Sequence, residues 1–187
     1  LVPDTLYSQQ GWRWIRHVTL AGGVPPDVML TDGQQPRVQT GVGRLETMSF
    51  PGRPSASSKL AHPVSPFDLD YDLRVDLAAA GREGIIIYRQ QADSSFRDVT
   101  TAAVPAGLRN RPYVRVWTAD LDMDGDLDLI LAPESGPPVT LRNDGDGTFS
   151  SRSIFPEVTA LRRFLWADLG ADGTPDAALV DAQGRLS

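Results

Sequence analysis

Apolar residues in this chain come in short bursts separated by polar, turn-forming segments. One set of bursts recurs in similar form: Val28-Met29-Leu30, Leu77-Ala78-Ala79, Leu129-Ile130-Leu131 and Ala177-Ala178-Leu179. A second, β-branched run follows in two places, Ile85–Arg89 and Val139–Arg142. After a polar turn (Gln91–Ser95, Asn143–Gly147) an aromatic opens a further run, Phe96–Thr100 or Phe149–Ser153. Upstream of the first bursts lie Tyr113–Ala119 and Arg163–Ala167. No stretch repeats its apolar positions with a helical period, and the runs are too short for a helix. The pattern predicts short strands joined by tight turns and no helix.

The bursts are copies of a larger unit. The segment Asp120-Leu-Asp-Met-Asp-Gly-Asp-Leu-Asp-Leu-Ile-Leu aligns without a gap to the twelve residues from Asp168 and to those from Asp68. An eroded copy starts at Thr19 and keeps only Asp27 and the apolar run after it. First positions at 19, 68, 120 and 168 give spacings of 49, 52 and 48 residues. Four short antiparallel strands repeated at about 40–50 residues are the mark of a propeller blade. The expected fold is all-β, a partial β-propeller with about three four-stranded antiparallel blades and the start of a fourth. Residues 1–187 then form one propeller region. It divides into a degenerate blade at 1–50, blades at 63–104 and 113–155, and a truncated blade at 163–187. Because propellers close with roughly four to eight blades, this chain reads as an arc of a larger ring. Residues 51–62, with Pro51, Pro54 and a run of serines and alanine, read as a flexible excursion between blades.

Composition agrees and narrows the chemistry. Fifteen prolines and seventeen glycines suit a chain that turns often. The net charge of −6, with Lys59 as the single lysine, argues against a nucleic-acid partner. Twelve of the 24 acidic residues fall in the windows 68–76, 120–128 and 168–176. The absence of cysteine excludes a thiolate metal site or a disulfide framework. No apolar run approaches the roughly 20 residues that span a bilayer. The chain opens at Leu1 without a basic-then-apolar leader, which reads as a processed protein or an excerpt of a longer one.

The acidic windows carry the chemistry. Aspartates at alternate positions repel one another, and a divalent cation relieves that cost. Calcium suits the set best, since it takes six to eight oxygens in flexible geometry, whereas magnesium demands a tight octahedron. Without cysteine or a nearby histidine, zinc and copper lack their preferred ligands. In the 120–128 loop the expected ligands are the side chains of Asp120, Asp122, Asp124 and Asp128 and the carbonyl of Asp126, with Gly125 allowing the turn. An EF-hand would need glutamate at the twelfth position, where Leu131 stands. The 68–76 loop offers Asp68, Asp70, Asp72, Asp76 and the carbonyl of Arg74. Leu73 replaces its glycine, so that turn must change shape or carry strain. The 168–176 loop offers Asp168, Asp172 and Asp176, with Thr174 at the carbonyl position, but Gly170 replaces a carboxylate. The loop at 19–27, with only Asp27, is expected to be metal-free. Asn143–Gly147 reads as a hairpin turn despite its acidic residues. Trp14, Trp117 and Trp166 precede loops and read as fillers of the space between blades. No nucleophile triad, carboxylate pair or phosphate-binding loop stands apart from the acidic windows.

With these residues in view, the chain resembles the FG-GAP/VCBS repeat family of calcium-loop propellers related to integrin α-subunits. Phe96–Thr100, Ala106–Leu108 and Asp120–Leu131 look most like bacterial proteins similar to cartilage acidic protein. The resemblance implies a secreted, periplasmic or cell-surface propeller, commonly seven-bladed, with calcium in its loops and binding roles more often than catalytic ones. The functional expectation is therefore a calcium-stabilised, non-catalytic binding or adhesion module whose protein or carbohydrate ligand sits on a propeller face. The alternative is a propeller-based polysaccharide lyase or hydrolase with structural calcium, for which Tyr88, Arg89 and Tyr113 are the available groups.

Overall fold

The computed structural model of the chain describes residues 14–18, 27–31, 36–39, 45–48 and 64–187. Most of the eroded loop at 19–27, the excursion at 51–62 and His62 lie outside the described residues. Strands β1 (Trp14–Val18), β2 (Asp27–Thr31), β3 (Pro36–Gln39) and β4 (Leu45–Thr47) pair in sequence order, each antiparallel to the last. The same meander recurs in β5 (Val64–Phe67), β6 (Asp76–Gly81), β7 (Gly84–Gln90) and β8 (Phe96–Asp98). It recurs again in β9 (Arg115–Ala119), β10 (Asp128–Ala132), β11 (Val139–Asn143) and β12 (Phe149–Arg152). Strands β13 (Arg163–Ala167) and β14 (Asp176–Val180) form an antiparallel pair. Four-stranded antiparallel sheets in succession make an all-β, propeller-like arc.

Burial shows how the sheets stack. In β6 every residue is buried, and so is every residue of β10. Side chains alternate between the two faces of a strand, so both faces of these second strands are covered. Leu77 and Ala79 join Val64, Tyr88 and Met48 in one cluster. Ala78 and Ala80 instead meet Leu129, Leu131, Val116 and Leu141 of the next sheet. Ile130 and Ala132 point the other way, towards Leu161 and Leu179. This explains why the second strands read as unbroken apolar runs and not as apolar–polar alternation. The first strands β5 and β9 also approach, with Ser65 Oγ and Thr118 Oγ1 3.2 Å apart.

Trp117 and Trp166 do fill space between sheets. Both are partly buried and packed against the third cluster. The Phe164 ring lies 6.2 Å from Trp117 and stacks on Trp166 at 6.4 Å.

The expectation of no helix is corrected at one place. Single helical turns α1 (Thr100–Ala103) and α2 (Ala106–Arg109) lie between β8 and β9. Four residues are too few to show a period, which is why the apolar pattern missed them. They are held by tertiary contacts: Ile87 N donates to Thr100 Oγ1 at 2.9 Å, and Ala103 and Val104 enter the core. Gly84 lets α2 close on the β6–β7 hairpin, since a Cβ there would stand 1.8 Å from the Arg109 carbonyl oxygen. Among the described residues no helix is long and apolar enough to cross a membrane.

Candidate metal centres

Each acidic window leaves a first strand and enters a second: 68–76 joins β5 to β6, 120–128 joins β9 to β10, and 168–176 joins β13 to β14. The three loops share one backbone. The fourth position is left-handed in all of them, at Tyr71 (φ 59°), Met123 (φ 57°) and Ala171 (φ 53°). The sixth is left-handed too, at Leu73 (φ 63°), Gly125 (φ 98°) and Gly173 (φ 89°). Leu73 therefore adopts the turn of its relatives and carries the strain, the second of the two options its sequence left open. None of the fourth-position residues is a glycine or asparagine, so nothing in the sequence marked that turn.

The loops also share an internal set of hydrogen bonds. The first aspartate accepts from amides near the turn: Leu73 N to Asp68 Oδ2 at 2.9 Å, Gly125 N to Asp120 Oδ2 at 3.1 Å and Gly173 N to Asp168 Oδ2 at 2.9 Å. The fifth-position aspartate accepts from the amide two residues on, as Asp72 from Arg74, Asp124 from Asp126 and Asp172 from Thr174. The ninth accepts from the second residue of the loop, as Asp76 from Leu69, Asp128 from Leu121 and Asp176 from Leu169. Asp76 Oδ1 and Asp128 Oδ1 reach further and accept from Gln90 N and Asn143 N on the third strand, at 2.7 and 2.8 Å. These last aspartates are buried, and burial pushes each carboxyl up to about 6.

Two groups of carboxylates come together. Asp68, Asp70 and Asp76 each offer an oxygen within 4.8 Å of the others, and so do Asp120, Asp122 and Asp124. Either group can hold a metal ion. The first also contains an acceptor in want of a partner: Asp70 Oδ1 is buried and accepts no hydrogen bond among the described residues. Burial, followed by the repulsion of Asp72, raises the Asp70 pKa. A hard cation bound there would satisfy that oxygen. Among the described residues Asp168, Asp172 and Asp176 do not form a third such group. Asp128 stands apart from the second group with both oxygens on backbone amides, and Asp126 turns away to accept a hydrogen bond from the Tyr71 hydroxyl.

That last contact crosses from one loop to the next. It holds the Tyr71 pKa up at about 12, and the hydroxyl stands 3.0 Å from where a Cβ on Gly125 would be. Arginines complete the electrostatics. Arg142 on β11 pairs with Asp122 through Nε, with Asp124 at 2.7 Å and with Asp144 at 3.3 Å. Arg89 on β7 pairs with Asp70 at 2.5 Å and Asp72 at 3.4 Å, and Arg74 Nη1 adds a contact to Asp72 at 2.5 Å. The bond from Arg142 is the main reason the Asp122 pKa is lowered. Burial works to raise that of Asp72, but the bonds from Arg74 hold it below the usual range. The sequence pattern alone places Arg74 at a metal loop, through its carbonyl, but neither Arg89 nor Arg142. The signal was present, since Arg89 and Arg142 follow their first aspartates by 21 and 22 residues.

Asn143–Gly147 is the turn between β11 and β12, closed by Asp144 N to Thr148 O at 3.0 Å. Of the groups considered for catalysis, Tyr113 is fully buried and donates to the Leu108 carbonyl at 3.0 Å, Tyr88 is buried, and Arg89 faces the acidic loop.

A family model described as an FG-GAP-like repeat matches residues 68–131 and again 120–179. Each match runs from one acidic loop to the burst after the next, and together they span more than half of the chain. The chain belongs to the FG-GAP-like repeat family. No curated protein matches it.

Proposed function

We propose that this chain is a calcium-stabilised binding module of a secreted, periplasmic or cell-surface propeller, with no catalytic role of its own. The observation that carries the reading is the recurrence of one loop geometry that gathers three carboxylates twice, with a buried, unsatisfied oxygen in one of the groups. Calcium fits this set better than other divalent ions, because all the donors are oxygens and come from a flexible loop. Extracellular modules bind calcium at on the order of 10⁻⁴–10⁻³ M, and an exposed loop already half-neutralised by arginine belongs in that range. Asp68, Asp70, Asp72 and Asp76 with the Arg74 carbonyl form one proposed centre. Asp120, Asp122, Asp124 and Asp128 with the Asp126 carbonyl form the other. Asp168, Asp172, Asp176 and the Thr174 carbonyl form a weaker third.

Calcium here stiffens the link between first and second strands, and the arc belongs to a larger ring, seven-bladed in the reading we favour. The degenerate first blade (1–50), the blades at 63–104 and 113–155 and the truncated blade at 163–187 are its proposed units. The partner is a protein or a carbohydrate held on a propeller face. A groove of about 370 Å³ lined by Ser65, Trp117, Thr118 and Trp166 of the first strands offers aromatic surface for it.

Calorimetric titration with calcium tests the reading. The wild-type chain gives heat of binding, Asp124→Ala loses one site, and chelator lowers the wild-type melting temperature. No heat, together with an unchanged melting curve in chelator, would overturn it.

A further inference from the structure

Arg89 and Arg142 hold equivalent places in successive blades. Each lies on the third strand, one residue before the amide that binds the ninth aspartate of its own loop: Gln90 N on Asp76 and Asn143 N on Asp128. Each guanidinium reaches back to the third- and fifth-position carboxylates, Asp70 and Asp72 in one blade, Asp122 and Asp124 in the next. Backbone amides serve the first, fifth and ninth aspartates of both loops. At the third position Arg89 is the ion-pair partner of Asp70, and the Arg142 bond is the largest influence on Asp122.

We propose that Arg89 and Arg142 are built-in counter-cations that compete with the bound metal and set its affinity, an inference that rests on the metal-binding reading above. A guanidinium on Asp122 and Asp124 lowers the negative potential that draws a divalent ion, and it repels that ion once bound. It also shares the oxygens the ion would take. Metal entry is then an exchange in which the arginine swings off the loop, so the net gain is smaller than the carboxylate count alone implies. Arginine suits the role because its planar fork spans two carboxylates and never loses its charge. The geometry makes each loop self-sufficient in folding and weak in binding, which keeps it tuned to a calcium-rich exterior.

The test is calorimetry with calcium on the full chain carrying Asp70→Ala, so that the 120–128 loop dominates the signal, with Arg142→Gln and Arg142→Lys introduced in turn. Removing a unit charge a few ångströms from a divalent ion tightens binding on the order of tenfold at high dielectric. Arg142→Gln is expected to show that gain and to melt lower in chelator, while Arg142→Lys stays within about twofold of its parent because the charge is kept. Equal or weaker binding by Arg142→Gln overturns the proposal and leaves the metal site standing. No heat in the wild type, together with a melting curve that chelator leaves unchanged, overturns the metal reading itself.

Discussion

At the residue scale the most informative position is Leu73. Its side chain is 91 % exposed and its φ is 63°, so it contributes no packing and adopts a conformation that costs a non-glycine residue roughly 1–2 kcal/mol. Glycine would remove that strain but would be freer in the unfolded chain, which gives back part of the gain. Leu73→Gly is therefore expected to stabilise the chain by about 0.5–1 kcal/mol, read as an upward shift of the urea midpoint with an unchanged slope. A fall in the midpoint would show that Leu73 has packing value the exposed side chain conceals. Leu73 also shows what was and was not legible beforehand. The missing glycine was visible as a break in the repeat, but the choice between a new turn and a strained one was settled by the hydrogen bond that the Leu73 amide donates to Asp68, which holds the old shape. The left-handed backbone at Tyr71, Met123 and Ala171 had no sequence signal, because none of the three is a residue type that favours that conformation.

At the scale of elements, the ninth aspartate is what fastens the 68–76 and 120–128 loops to their sheets. Asp128 accepts from Leu121 within the loop and from Asn143 on β11, so it ties the first, second and third strands together. Its place at the head of the second strand explains a carboxylate buried in an apolar sheet. Asp128→Ala leaves these amides without their acceptor and is expected to cost on the order of 2 kcal/mol even in chelator. Asp124→Ala, at an exposed position, is expected to cost far less under the same conditions. Chelator melts of the two variants separate the fastening role from the metal role, and equal losses would refute the distinction. The strands themselves were readable as bursts because β6 and β10 are buried on both faces, and after the aspartate that opens each they carry only apolar residues and glycine. The turns at 100–109 were not, since four-residue helices depend on what they pack against.

Across the whole molecule, the loops of neighbouring blades are joined through Tyr71 and Asp126. The hydrogen bond favours the neutral phenol, so Tyr71 ionises near 12 instead of 10. A raised pKa of this kind gives stability that is complete below the unfolded value of about 10 and is lost as pH rises towards 12. Urea melts of the wild type and Tyr71→Phe are expected to converge over that window, with the difference between them largest below it. Tyr113, raised by burial to the same value, adds its own loss to both chains and cancels in the comparison. Convergence absent from the data would mean that the contact does not bind the blades. The repeat period announced successive blades, but a bridge from one loop to the next lies between repeats, where alignment of one unit on another cannot see it.

The inward hydrogen bonds of the acidic loops have a consequence for digestion. A protease must draw several residues into an extended strand and use their backbone amides for recognition. At the tip of the 68–76 loop the exposed Leu73 precedes Arg74, an inviting pair for trypsin, yet the Leu73 and Arg74 amides are already committed to Asp68 and Asp72. Cleavage there has to wait until the loop opens, so an exposed and basic tip is guarded by the carboxylates beside it.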